Sequence, residues 1–146
     1  PEWNRIINGL YMWISPIRVH MPWIYHRYGL NPFDDTDSDY MDYGYAFPSL
    51  DDPTQLISTL HWEAFREGIE DMRYLKTLEA LVAQSGDREA ARWLQQIRQM
   101  LPRVPNEIYS IRDESPVLVA FSRRLSGEDY YRIKSVTAQH IARLQR

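Results

Sequence analysis

Four histidines are the residues to examine first for metal binding, and they stand far apart at His20, His26, His61 and His140. A zinc site on one helix needs two histidines spaced so that both rings reach the same ion, as in H-E-x-x-H. No two histidines here have that spacing. We therefore expect imidazoles that are hydrogen-bonded or solvated, and no metal or other cofactor.

Three alternating aspartates, Asp35, Asp37 and Asp39, match the first ligand positions of a calcium-binding loop. Such a loop also needs a glycine and, further along, a glutamate that binds through both oxygens. Tyr40 and Ala46 occupy those two positions here. The run therefore favours a solvated acidic loop over a calcium site.

The sequence lacks the common motifs of covalent catalysis. It contains no cysteine, and Ser58, Ser110 and Ser122 lie outside any G-x-S-x-G sequence. A serine nucleophile of the hydrolase type needs that sharp turn to expose its hydroxyl. Glycine-rich phosphate-binding loops are also absent from the sequence.

Adjacent carboxylates at Glu70 and Asp71 suggest glycoside hydrolysis, which uses two acids about 5–10 Å apart. Successive residues of a helix diverge by about 100°, so these two side chains cannot converge on one substrate atom. Arg66 and Arg73 lie four residues before and three residues after Glu70, where local ion pairs form. The spacing favours ion pairs, and we assign no catalytic residue within the chain.

Aromatic residues near the ends of predicted strands are better candidates for ligand contact. Trp13, Tyr45 and Phe47 offer flat apolar faces suited to stacking on sugar rings. In a closed α/β barrel, the carboxyl ends of the strands face the active site. We assign these three residues to substrate binding, with burial in the core as the alternative.

The composition excludes several classes of function. The 146 residues carry a formal net charge of −3, and 11 of the 19 aromatic residues fall among the first 50. No basic stripe is present to neutralise a phosphate backbone, so nucleic acid is not an expected partner. No apolar run approaches the ~18 residues that suggest a membrane span. The absence of cysteine leaves the compartment open.

The first half of the chain predicts short strands and loops. Residues 9–14 form a continuous apolar run that fits a buried strand of a parallel sheet. Residues 21–28 predict an aromatic turn or short helix, residues 29–39 a loop, and residues 43–48 a second strand stopped by proline. Two strands are too few for a stable sheet, so we expect further strands from another part of the molecule. The missing initiator methionine supports an excised or cleaved chain.

A long amphipathic helix follows these strands. Asp52 and Pro53 offer a helix start, and apolar residues then recur at spacings of three and four as far as Ser85 and Gly86. Its buried face is expected to comprise Trp62, Phe65, Ile69, Met72 and Leu75.

Two further helices are predicted after residue 86. The first carries apolar residues between 90 and 101 and stops before Pro102. The second begins at Ser126, which can form a reciprocal cap with Asp129. Residues 117–121 form an apolar run that fits either a strand or a helix.

Two segments carry a family pattern. Residues 45–49 read Tyr-Ala-Phe-Pro-Ser, and residues 58–75 read STLHWEAFREGIEDMRYL. Together they resemble the tyrosine-proline strand end and the T-x-x-W-E-x-x-R-E-G-I-D-D-x-R-Y-L helix of the glycoside hydrolase family 123 type catalytic domain. The resemblance covers residues 3–83 and, more weakly, 130–144. Phe47 and Glu70 depart from it, since the family usually has tyrosine and aspartate there.

The resemblance implies an α/β fold, a (β/α)₈ barrel, of which this chain supplies the last two strands and the final helix. Residues 1–84 would then form the C-terminal end of the barrel. Residues 85–146 would form a helical extension packed on it, so that this chain alone is mainly α. The resemblance also implies that the long helix begins nearer Ser58 than Asp52.

The activity implied by the resemblance is that of a β-N-acetylgalactosaminidase-like glycosidase. Such enzymes use substrate-assisted retention, in which the substrate's acetamido oxygen attacks the anomeric carbon, an aspartate orients it and a glutamate protonates the leaving oxygen. No position here matches those two acids, which lie on an earlier strand in the family.

The resemblance also implies partners and a location. The partners are the N-terminal remainder of the same enzyme and a carbohydrate substrate, and the location is secreted or periplasmic. A non-catalytic scaffold or helical association module derived from the same fold is the alternative.

Overall fold

The computed structural model describes residues 2–16, 19–20, 26–27, 31, 33, 43–102 and 116–146. The described part is mainly helical, as expected for this chain. Its helices are α1 (Glu2–Ile6), a π-helical turn (Ile7–Tyr11), α2 (Met12–Ile14), α3 (Leu60–Ser85), α4 (Arg88–Met100), α5 (Pro116–Arg124) and α6 (Gly127–Leu144). Its strands are β1 (His26–Arg27), β2 (Tyr43–Gly44), β3 (Ala46–Pro48) and β4 (Leu56–Ser58). The predicted acidic loop around Asp35, Asp37 and Asp39 lies outside the described residues.

The strand predicted at residues 9–14 is wrong, because α1, the π-helical turn and α2 run together as one N-terminal helix over residues 2–14. A continuous apolar run fits a helix buried against others as well as it fits a buried strand. Gly9 does not break the helix. It is the point where this helix crosses α3, since a Cβ added there would lie 3.0 Å from the Gly68 carbonyl oxygen.

The second predicted strand, at residues 43–48, forms as β2 and β3. β1 pairs with β2 and β3 pairs with β4, both antiparallel and both within this chain. The turn before β4 closes with a Gln55 N–H to Asp52 carbonyl bond of 3.0 Å. Asp52 therefore starts a hairpin turn rather than α3, and its carboxylate accepts a hydrogen bond of 3.0 Å from the Thr54 N–H.

α3 begins one residue after Thr59, close to the position that the family resemblance implies. The Thr59 hydroxyl accepts a hydrogen bond of 3.3 Å from the Trp62 N–H, which makes it the N-cap. The helix ends as predicted at Ser85. Gly86 then adopts a φ of 67°, a left-handed conformation that glycine reaches without strain.

The two helices predicted after residue 86 form as α4 and α6. Asp87 caps α4, and Ser126 and Asp129 form the predicted capping box of α6. The ambiguous run at residues 117–121 lies within helix α5. Phe121 is fully buried there and meets Tyr11 edge-on at 6.3 Å between ring centroids.

One core joins the N-terminal helix to α3, α4, α5 and α6. α3 is central, because it packs against the N-terminal helix, α4 and α6. The buried core residues are Ile6, Leu10, Trp13, Leu75, Leu78, Ala90, Leu94, Ile97, Leu101, Phe121, Leu125, Tyr130 and Ile133.

The predicted buried face of α3 is confirmed at its centre and only partly at its start. Leu75 is fully buried, whereas Trp62, Phe65, Ile69 and Met72 are half-buried. At the start of α3, Tyr45 packs against Trp62 and Phe65, and Asn4 of the N-terminal helix contacts His61.

Candidate functional site

Trp13, one of the three aromatic residues assigned to substrate binding, lies on helix α2 rather than at a strand end. Its side chain is buried in the core, and the Arg98 guanidinium stands 4.3 Å from the centre of its ring. This environment favours the packing alternative for Trp13.

Tyr45 and Phe47 lie beside the start of α3. Tyr45 is buried and Phe47 is half-buried. Phe47 meets Phe33 edge-on at 5.9 Å. Tyr45 packs against two residues of α3, with ring centroids 6.2 Å from Trp62 and 5.5 Å from Phe65.

The rings of Trp62 and Phe65 are nearly parallel, with an interplanar angle of 6° and centroids 5.8 Å apart. Both rings are half-buried, so part of this aromatic cluster reaches the surface. Tyr45 meets both rings at steep angles of 75° and 68°, the edge-to-face geometry that aromatic pairs prefer. The cluster holds Tyr45, which lies between β2 and β3, against the first turns of α3.

A polar network runs alongside this aromatic cluster. The Asn4 side-chain amide donates to His61 Nδ1 at 3.1 Å, and the Tyr45 hydroxyl lies 3.5 Å from Asn4 Oδ1. The Asn8 amide donates to the Asn4 carbonyl at 2.7 Å. His20 Nδ1 lies 2.7 Å from Asn8 Oδ1. An amide oxygen can only accept, so His20 donates through Nδ1.

The two histidines of this network are kept neutral near pH 7. Burial lowers the pKa of His20 and of His61 below the ordinary value of 6.5, because an imidazolium loses hydration there. Neutral imidazole offers one donor and one acceptor, and each asparagine amide offers both functions. We define Asn4, Asn8, His20, His61 and Tyr45 as the amide–imidazole site.

Sequence reasoning missed most of the amide–imidazole site. His20 and His61 are 41 positions apart in the chain, so the sequence alone does not bring them together. Asn4 and Asn8 lie four residues apart, which places them on one face once the segment is helical. The sequence predicts no helix over residues 4–8, so their spacing gives no signal on its own. A helical assignment of residues 2–14 is the signal that would have revealed it.

Acidic residues of α3 form a separate ionic network. Lys134 of α6 reaches Glu67 at 2.9 Å and Glu70 at 2.8 Å. Arg66 reaches Glu70 at 2.6 Å and Glu63 at 3.0 Å. The predicted pair between Arg66 and Glu70 is confirmed, and the bridge to α6 was not foreseen.

Asp71 is the buried member of the acidic group. Its side chain is 4% exposed and accepts two hydrogen bonds from Arg5, at 2.8 and 3.2 Å. Burial raises the pKa of Asp71, and the Arg5 guanidinium opposes that rise. Arg5 also lies 5.1 Å above the Tyr130 ring. These contacts tie the N-terminal helix to α3 and α6.

The motif of residues 58–75 has a packing explanation at several positions. Thr59 caps α3 and also donates to the Gly44 carbonyl at 2.7 Å, which joins the strand segment to the helix. Gly68 allows the N-terminal helix to approach α3 closely, since a Cβ at this position would lie 2.6 Å from the Arg5 carbonyl oxygen. Asp71 then pairs with the Arg5 side chain. The motif therefore specifies how three segments pack together.

Among the described residues, no group of three or more histidine, aspartate or glutamate side chains is placed to hold a metal ion. In that same part of the chain, no helix is long and apolar enough to cross a membrane.

The chain matches no family model, no curated protein and no solved structure.

Proposed function

We propose that this chain is the C-terminal portion of a glycoside hydrolase of the family 123 type, acting on β-N-acetylgalactosaminide-like glycans. The observation that supports this most is the motif at residues 58–75, together with the Tyr45–Pro48 segment, whose Tyr45 carbonyl accepts a hydrogen bond of 3.0 Å from the Thr59 hydroxyl. The proposed reaction is substrate-assisted retention. Its orienting aspartate and acid glutamate lie upstream of these residues.

The proposed architecture is the closing part of a (β/α)₈ barrel. In this proposal, β3 is the strand segment that precedes the final helix, and α3 is that helix. Residues 85–146 are the extension that packs on the barrel, and α4 and α6 already pack on α3. The remaining strands come from the N-terminal part of the same enzyme.

The amide–imidazole site is the proposed contribution of this chain to sugar binding. Sugar hydroxyls both donate and accept hydrogen bonds, and Asn4 and His61 offer both functions beside an aromatic cluster. Phe47, Trp62 and Phe65 supply partly accessible aromatic surface, and the buried Tyr45 ring packs behind Trp62 and Phe65. This combination of apolar faces with a few placed polar groups is typical of small-ligand sites.

The acids of α3 are assigned no catalytic step. Glu67 and Glu70 share Lys134, and Asp71 is bound to Arg5. A general acid needs a pKa near the working pH. The pKa of Glu70 is lowered by its hydrogen bond to Lys134, so it stays ionised. The isolated chain is therefore expected to hydrolyse nothing.

The test compares this chain with the protein that includes its upstream residues, using a chromogenic β-N-acetylgalactosaminide. We expect background hydrolysis from the chain and turnover from the longer protein. His61→Ala in the longer protein should lower kcat/KM about tenfold, equivalent to roughly 1.4 kcal/mol of transition-state binding. His140→Ala, outside the amide–imidazole site, is the control and should leave kcat/KM unchanged. Turnover by the isolated chain that Glu70→Gln abolishes would contradict the proposal.

A non-catalytic helical module is the second candidate. The described helices share one core, and Glu63, Glu67, Glu70 and Asp71 each have a basic partner, which is the arrangement of a structural scaffold. A longer protein that folds but fails to hydrolyse any N-acetylhexosaminide would favour this candidate over the hydrolase.

A further inference from the structure

A groove on the surface between α4 and α6 is lined by residues that the proposed function does not use. It has a volume of about 360 Å³ and is lined by Trp93, Gln96, Gln99, Met100 and Arg132. Sites for small ligands are roughly 300–1,000 Å³ in volume, so the groove has room for a single sugar ring.

Trp93 forms a fixed wall of the groove. Its indole Nε1 donates to the Thr137 hydroxyl of α6 at 3.0 Å, and Thr137 is fully buried. This hydrogen bond holds the indole in one orientation. Trp93 and Met100 are both half-buried, which leaves part of each apolar surface accessible to a ligand.

The polar lining has spare hydrogen-bonding capacity. Gln96 and Gln99 are exposed, and no described residue hydrogen-bonds to their side-chain amides. The side chain of Arg132 is 55% exposed. Its Nη2 lies 3.5 Å from Asp129 Oδ1 and 3.8 Å from Met100 Sδ.

The contact between Arg132 and Asp129 leaves most of the guanidinium available. Asp129 is engaged elsewhere, since its Oδ2 accepts from the Ser126 N–H at 2.9 Å and from the Ser126 hydroxyl at 2.8 Å. A guanidinium carries five N–H donors, and the described contacts use only one nitrogen of Arg132. An incoming carboxylate can therefore pair with the remaining donors.

We propose that this groove binds a uronic acid residue of a glycan. The carboxylate pairs with Arg132 in the two-point geometry that guanidinium favours. The hydroxyls bond to the Gln96 and Gln99 amides, and an apolar face of the ring packs on Trp93. A neutral sugar would leave the remaining Arg132 N–H donors without a carboxylate, and a simple carboxylate would leave the indole face uncovered. This inference goes beyond the proposed function and does not depend on it.

Calorimetric titration of the 146-residue chain with methyl β-glucuronide tests the proposal. Methyl β-glucoside, which has the same ring without the carboxylate, should bind at least tenfold more weakly. Arg132→Gln should weaken glucuronide binding at least tenfold, since a charged hydrogen-bonding partner is lost. Arg92→Gln removes an exposed charge from α4, the other helix beside the groove, at a position outside the groove lining, and should leave the affinity unchanged. Circular dichroism checks that both variants fold.

Three results would overturn the proposal. Equal affinity for the glucuronide and the glucoside would show that the carboxylate is not recognised. Equal losses in Arg132→Gln and Arg92→Gln would show that only overall charge matters. Displacement of the glucuronide by an equal concentration of acetate would show that the sugar ring contributes nothing.

Discussion

Asp71 is a charged residue on the buried side of α3, and its ion pair with Arg5 offsets the cost of that burial. Asp71→Asn removes the negative charge while keeping the size of the side chain, so Arg5 loses its main partner. We expect the free energy of unfolding to fall by about 3 kcal/mol, the lower part of the range for breaking buried pairs. Urea denaturation monitored by circular dichroism measures this change.

Glu63→Gln is the matched control for Asp71→Asn, because Glu63 pairs with Arg66 where both side chains are more than 40% exposed. Exposed ion pairs contribute little to stability. The urea midpoint should therefore stay the same. Equal losses from the two substitutions would show that the burial of Asp71 does not matter.

His20 and His61 provide a prediction about pH. Both should titrate below 6.5 in NMR experiments, because burial penalises the imidazolium. As the pH falls, the histidines of the unfolded chain are protonated at a higher pH than those of the folded chain. The contribution of the two histidines to stability is therefore complete above pH 6.5 and is lost as the pH falls below it.

The substitution Asn8→Asp should change the pKa of only one of the two histidines of the amide–imidazole site. A carboxylate placed 2.7 Å from His20 Nδ1 should raise the pKa of His20 and leave that of His61 nearly unchanged. An unchanged His20 pKa would show that the two side chains do not meet.

At the scale of elements, the crossing between the N-terminal helix and α3 depends on Gly68. A Cβ at this position would lie 2.6 Å from the Arg5 carbonyl oxygen and 3.1 Å from the Gly9 nitrogen, and both atoms belong to the backbone. Gly68→Ala should therefore force the helices apart and cost about 2 kcal/mol, despite the better helix propensity of alanine.

Gly127→Ala is the control for Gly68→Ala, because a Cβ at Gly127 meets no atom within 4 Å. Thermal unfolding should show a lower midpoint for Gly68→Ala alone. If Gly68→Ala were as stable as the wild type, the close crossing of the two helices would be wrong.

The elements that could be predicted from sequence are those with their own local signals. α3, α4 and α6 carry caps and a periodic apolar face, and Ser126 with Asp129 forms the capping box that the sequence indicates. The N-terminal helix lacks such signals, since its apolar run is continuous. Its helical state depends on contact with α3 through Gly68. The amide–imidazole site could not be predicted for the same reason.

At the scale of the whole molecule, Arg143 near the end of α6 pairs with Asp87 and Glu89 at the start of α4. Arg143 donates to both carboxylate oxygens of Asp87, at 2.9 and 2.8 Å. Together with the Ala90 N–H, these bonds lower the pKa of Asp87 from 3.8 to about 2. The stabilisation is therefore present above pH 3.8 and is lost as the pH falls through about 2.

Asp87→Asn tests this linkage, because asparagine also caps helices well. The variant should be less stable than the wild type at pH 7, and the difference should disappear near pH 2. Denaturation curves at the two pH values measure it. If the variant and the wild type differed in stability by the same amount at both pH values, the effect would come from the helix cap rather than from the charge on Asp87.

The π-helical turn at Ile7–Tyr11 behaves as one inserted residue within the N-terminal helix, since the Met12 N–H bonds back to the Ile7 carbonyl. The wider turn lets three consecutive residues, Asn8, Gly9 and Leu10, be buried. Regular α-helical geometry over the same number of residues would instead rotate every residue beyond this turn by about 100° relative to those before it. Arg5 and Trp13 could then no longer face the core together. The number of residues in this segment, and not only their types, therefore determines which side chains face the core.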